Sequence, residues 1–152
     1  MNRFGSYLVR LVRVALGFIA GLAVAAAMVV ILDLNKGGLP EPLAGAAAIG
    51  FFTFLAARML WPLLLVLLLT EVMRWRALSL HLGLGLLAAA AVLGWTWWQA
   101  PQEAPDPILG EEPALTTARI AVTLAAGLCG ALVSWLIAGR TAGLPTTERT
   151  AP

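Results

Sequence analysis

Four long apolar runs fill most of this 152-residue chain and dictate what it can fold into. Residues 14–32 hold 19 positions without a charge, 82–98 hold 17, and 120–139 hold 20. Residues 43–70 are apolar apart from Arg58. A bilayer hydrocarbon core about 30 Å thick is crossed by about 20 apolar helical residues. The runs therefore predict an all-α integral membrane protein with four transmembrane helices in an up-down antiparallel bundle. The expected spans are approximately 14–32, 47–70, 78–98 and 119–139.

Composition agrees. The chain is 61% hydrophobic and 12% charged, with mean hydropathy +0.89. A soluble domain carries about 25% charged residues. Four spans consume roughly 85 residues, so no soluble domain fits beside them. The expected organisation is one membrane domain over residues 1–143. Within it lies an acidic, proline-rich external loop at 99–118, and a disordered tail follows at 144–152. The net charge of +2 gives no reason to expect nucleic acid. The single cysteine, Cys129, excludes an internal disulfide, a CxxC pair and a cysteine zinc site. It thereby excludes quinone-linked disulfide oxidoreductases, which also use four helices.

The first run has a basic start at Arg3, Arg10 and Arg13 and A-x-A pairs at Ala23/Ala25 and Ala25/Ala27. A signal-peptide apolar region is about 7–15 residues. This one continues through Leu32, so it is read as an uncleaved span.

Short-loop Lys/Arg bias sets orientation. Arg3, Arg10, Arg13, Arg74, Arg76, Arg140 and Arg149 fall on one side of a four-span chain. The other side has Lys36, with Arg119 at its membrane edge. Both termini are expected in the cytoplasm. The external loop carries Glu103, Asp106, Glu111 and Glu112 among prolines 101, 105, 107 and 113. Their spacing matches no calcium loop. Trp75 and Trp135 at one side, and Trp95, Trp97 and Trp98 at the other, read as headgroup-level anchors.

Arg58 is the sharpest candidate. It stands 15 residues after Leu43 and 12 before Thr70, so a straight helix would hold it about 20 Å from either end. A central arginine opposes insertion by about 2.5 to 3.5 kcal/mol. The seven leucines between Leu60 and Leu69 roughly offset this at about 0.5 kcal/mol each. Pro62 lacks an N–H, which leaves the carbonyl of residue 58 without its helical donor and predicts a kink. Intramembrane charges usually face the interior of a bundle, so Arg58 with Pro62 forms a candidate intramembrane polar site. In the plainer alternative the helix starts near Gly50, and Arg58 sits shallower and reaches toward headgroups, Asp33 or Glu41.

Glu71, Arg74, Arg76 and His81 form a candidate cytoplasmic-face cluster. Glu71 and Arg74 are spaced i,i+3 for pairing on one helical face, and His81 is expected across the turn. Anchoring to anionic headgroups is the simplest role for them. Gly17 and Gly21 make a GxxxG, and Gly130-xxx-Ser134 repeats the small spacing in the fourth run. Small residues let helix backbones approach in lipid. The pairs serve either internal packing or self-association. A further Gly139-xxx-Gly143 sits at the water boundary, where a glycine helix stop is the plainer account.

Two segments carry a resemblance. They are Glu71-Val-Met-Arg74-Trp-Arg76-Ala-Leu-Ser79 after a leucine-rich span, and Gly127-Leu-Cys-Gly130-Ala-Leu-Val-Ser134-Trp135 continuing to Gly139-Arg140-Thr-Ala-Gly143. The chain resembles a family of small, uncharacterised four-helix inner-membrane proteins of proteobacteria. It departs from that pattern in having Ser134 where an aromatic is expected. The resemblance implies a bacterial inner-membrane location and no particular activity.

No nucleophile–base pair or cofactor motif stands out. The sequence thus points to a non-enzymatic inner-membrane protein without cofactor or metal, a small accessory or assembly partner of a larger envelope complex. The rival expectation is a small dimeric transporter or channel using Arg58 near the Pro62 kink.

Overall fold

The computed structural model describes residues 3–34, 38–73, 77–100 and 113–141. Every element in them is helical. Helix α1 (Arg3–Val29) ends in a π-helical turn at Val30–Leu34, followed by α2 (Pro42–Met59), α3 (Trp61–Val72), α4 (Leu78–Gln99) and α5 (Thr117–Ile137). A 3-10 turn, Gly139–Thr141, follows α5. The segments Leu8–Leu34, Pro42–Met59, Leu78–Gln99 and Thr117–Ile137 are long and apolar enough to cross a membrane. Trp61–Thr70 is a shorter apolar helix. The tail from residue 142, most of the 99–118 loop, and Lys36, Arg74 and Arg76 lie outside the described residues.

Local chemistry sets the helix ends. Pro42 occupies the first turn of α2, where no amide hydrogen is needed, and the Glu41 carboxylate accepts from the Ala44 N–H at 2.7 Å. Helix α2 thus starts at Pro42, not near 47 or Gly50. The cap and the alanine-rich first turns make 43–49 helical although they are weakly apolar. Thr116 caps α5 by accepting from the Arg119 N–H at 3.1 Å. Threonine hydroxyls inside the apolar helices donate back to carbonyls one turn earlier: Thr53 to Ile49, Thr96 to Val92 and Thr123 to Arg119. That satisfies a polar group where water is scarce.

The expected single second span is broken. Helix α2 closes with the Leu60 N–H on the Ala56 carbonyl at 2.7 Å, and α3 opens with the Leu63 N–H on the Leu60 carbonyl at 2.9 Å. Pro62 cannot bond back to residue 58, so the break falls where the missing donor places it.

Helix α5 is the central element, packed on α1 at one side and α4 at the other. Helix α2 packs on α1. Leu60 and Leu67 join Val14 and Phe18 of α1 and Ala138 in an apolar cluster, flanked by Leu84, Ala88 and Val92 of α4. Elsewhere large apolar side chains face outward, among them Phe54, Leu87 and Trp97 at 67%, 65% and 70% exposure. In water such a surface would aggregate, whereas in lipid it is the solvent-compatible one.

Candidate functional site

Three close contacts build the core around α5. A Cβ placed on Gly21 would lie 2.5 Å from the Gly130 carbonyl oxygen, and one on Gly130 would lie 2.6 Å from that of Gly21. Gly17 faces the Ser134 carbonyl oxygen and the Ala138 Cβ, each at 3.2 Å from such a Cβ. The GxxxG of α1 and the Gly130-xxx-Ser134 of α5 therefore meet each other within the chain. A second crossing pairs Gly85 with Gly127: a Cβ on either would stand 2.5 or 2.6 Å from the other's carbonyl oxygen. Sequence reading missed the Gly85 seam. Its signal was the small-residue spacing Gly85-xxx-Ala89 opposite Gly127-xxx-Ala131, which goes unremarked in so alanine-rich a run.

Within the π-helical turn that ends α1, Asp33 meets α5. The Arg119 Nε donates to Asp33 Oδ2 at 2.9 Å, and its Nη1 donates to the Ala114 carbonyl at 2.9 Å. Asp33 is only 13% exposed, so this pair is half-sheltered. Pairing of Arg58 with Asp33 or Glu41 is thereby corrected: Arg119 holds Asp33, and Glu41 caps α2. Backbone hydrogen bonds from Ala44 and Leu43 hold the Glu41 carboxyl below its ordinary value.

Arg58 does not point into the interior; it is exposed in the last turn of α2. This corrects the interior-facing expectation. Helix α2 turns its Gly45, Phe52 and Ala56 side toward the molecule. At 100° per residue, position 58 falls on the opposite side, beside Phe54 one turn earlier. Arg58 makes no hydrogen bond or ion pair with another described residue. Pro62, also exposed, sits just past the break. An outward-opening apolar groove runs beside Phe54, lined by Ile19 and Ala23 of α1 and by Ala46, Gly50, Thr53 and Ala57 of α2.

His81 is buried at 5% exposure in the first turn of α4. Its Nδ1 lies 3.2 Å from the Ala77 carbonyl. A Cβ on Gly139 would lie 2.7 Å from His81 Nε2 and 2.6 Å from Trp135 Cδ1. The ring thus packs against the end of α5. Gly139, which stands just past the end of α5, is required there for space. The partners proposed for His81 are not brought into view: the Glu71 side chain, Arg74 and Arg76 lie outside what is described.

No protein-family model, curated protein or solved structure matches this chain. The functional reading therefore rests on the site itself. Among the described residues no group of three or more His, Cys, Asp or Glu side chains is placed to hold a metal ion. What the arrangement offers chemically is a three-helix core closed by small-residue seams, an outward guanidinium at Arg58, and a small-residue groove between α1 and α2.

Proposed function

We propose that this is a non-enzymatic multi-pass protein of the bacterial inner membrane, acting as a small accessory or assembly partner of a larger envelope complex. The observation carrying this reading is the half-packed state of α2. Helices α1 and α4 each close a small-residue seam on α5, whereas α2 leaves Phe51, Phe54 and Leu55 at 62%, 67% and 49% exposure together with Arg58. An arginine on a lipid-facing surface is costly unless something covers it. A lateral partner supplies that cover. The resemblance to small inner-membrane proteins and the Lys/Arg split support the location, an up-down bundle and cytoplasmic termini.

The test is mild extraction of the tagged full chain from its own membranes, followed by sizing and identification of companions. A stoichiometric larger membrane protein supports the reading; a clean monomer or homodimer overturns it. Cysteine labelling at Ser6 and Gln102 tests the orientation, and labelling of position 6 from outside overturns it.

One observation favours the second reading, a small dimeric transporter or channel. Broken helices line substrate paths in transporters, and the α2–α3 break lies two residues from Arg58. Under that reading Arg58→Leu leaves a folded protein without transport.

A further inference from the structure

We infer that the α1–α2 groove docks a transmembrane helix of a partner protein that carries one carboxylate, Asp or Glu, at the depth of Arg58. This rests on the accessory reading above and specifies the partner's chemistry.

Charge accounting leads there. The guanidinium of Arg58 is exposed and makes no hydrogen bond or ion pair with another described residue. The described carboxylates are already engaged: Asp33 with Arg119, Glu41 with the amide of Ala44. Glu41 is also distant, since 16 residues of α2 separate Pro42 from position 58, about 24 Å of helix. Glu71 lies 13 positions further along the chain, beyond the helix break. Among the described residues no carboxylate is left to compensate Arg58, and another molecule can supply one.

Its depth selects the source. Beyond Arg58 the chain still has the apolar turns of α3, Trp61–Thr70, before it turns back. With α2 and α3 counted as one broken span, Arg58 stands 16 positions from Pro42 and 12 from Thr70, so it would lie within the hydrocarbon, while a lipid phosphate stands at its boundary. A second copy is also disfavoured. A twofold axis along the membrane normal would set two Arg58 side chains at equal depth across one contact, and like charges repel strongly where the dielectric is low. An acidic residue within a partner span reaches the right depth with the right sign.

The groove supplies the rest of the contact. Ala46, Gly50, Thr53 and Ala57 run along α2 over 12 residues, about 16 Å, with Ala23 opposite on α1. A Cβ on Gly50 would meet nothing within 4 Å. Small residues are what bring helix backbones together in lipid, where packing replaces the hydrophobic effect. The small-residue seams of α5 are occupied by α1 and α4; this one is open.

The test uses the full chain carrying Cys129→Ser and Gly50→Cys, co-expressed with a leucine-alanine single-span reporter helix. The reporter bears Glu, Gln or Leu at its midpoint and one cysteine a turn away. Disulfide crosslinking and co-purification are read together. The Glu reporter should be captured about tenfold better than the Gln reporter, a factor equal to about 1.4 kcal/mol. Arg58→Leu should reduce it to the Gln level. Arg58→Glu should reverse the preference toward a reporter bearing Arg. In a separate arm, Gly50→Phe should block co-purification with Arg58 intact. Equal capture of the Glu and Gln reporters overturns the inference, as does Glu capture that survives Arg58→Leu. Disulfides formed between two Gly50→Cys chains assign the groove to a second copy instead. Arg58-dependent retention of an anionic phospholipid, without discrimination among reporters, assigns it to lipid. The reporter is independent of any native companion, so a companion that co-purifies while the reporter fails separates this inference from the accessory reading.

Discussion

Asp33 of the π-helical turn accepts a hydrogen bond from Arg119 of α5 at 2.9 Å, across 86 residues of sequence. The pair ties the far end of α1 to the first turn of α5. π turns inside or at the end of α-helices re-aim the side chains that follow. Here the turn sets Asp33 against Arg119, whose own backbone amide is bound by the Thr116 cap.

Loss of this pair should be felt but not fatal. With Arg119 32% exposed, solvent screening limits its worth to about 1 kcal/mol. Asp33→Ala should lower thermal stability in detergent accordingly, and the double variant Asp33→Ala, Arg119→Ala should cost less than the two single changes added together. Strict additivity in that cycle would show that the two side chains do not interact.

The glycine seams should respond sharply to a single methyl group. Gly21→Ala and Gly85→Ala each place a carbon about 2.5 Å from a facing carbonyl oxygen, so the helices must separate. Overpacking of this kind costs about 1–3 kcal/mol. Gly94→Ala, whose added carbon meets nothing within 4 Å, should be neutral or stabilising by up to about 1 kcal/mol through helix propensity. Thermal unfolding of the three variants side by side checks the contrast; equal stability of all three would remove the seams from the account.

Glu41 should make the start of α2 sensitive to acid. Its folded-state carboxyl is held below the ordinary value of 4.5 by backbone hydrogen bonds. A lowered folded value means the stabilisation is present above the unfolded value and is lost as pH falls through the folded one. Protection of the Ala44 amide, its exchange rate relative to the intrinsic rate at each pH, should therefore fall below about pH 4.5, and Glu41→Gln should remove that fall. A protection factor at Ala44 that stays constant through this range would contradict the cap.

Arg58→Leu should leave the isolated chain as stable as before, or more so. The side chain makes no hydrogen bond or ion pair with a described residue that would be lost, and a central arginine opposes insertion by about 2.5 to 3.5 kcal/mol. A clear fall in melting temperature would mean that the guanidinium is bonded within the chain.

The sequence by itself determined that the chain folds into helices long and apolar enough for four membrane crossings, because crossing lipid depends on length and apolar content alone. It also located the break near Pro62, since a missing amide hydrogen is a property of one residue. Tertiary structure alone decided which way each helix faces. Gly17 and Gly21 turn to Gly130 and Ser134, Gly85 turns to Gly127, and Arg58 turns outward. In a soluble helix the polar stripe reveals the inner face; in helices apolar all round, lipid and protein interior are equally apolar, and that signal vanishes. The same reason hid the choice of Asp33 for Arg119 over Arg58. Both arginines were visible as charges, but only the packing of α1 on α5 brought one of them within reach.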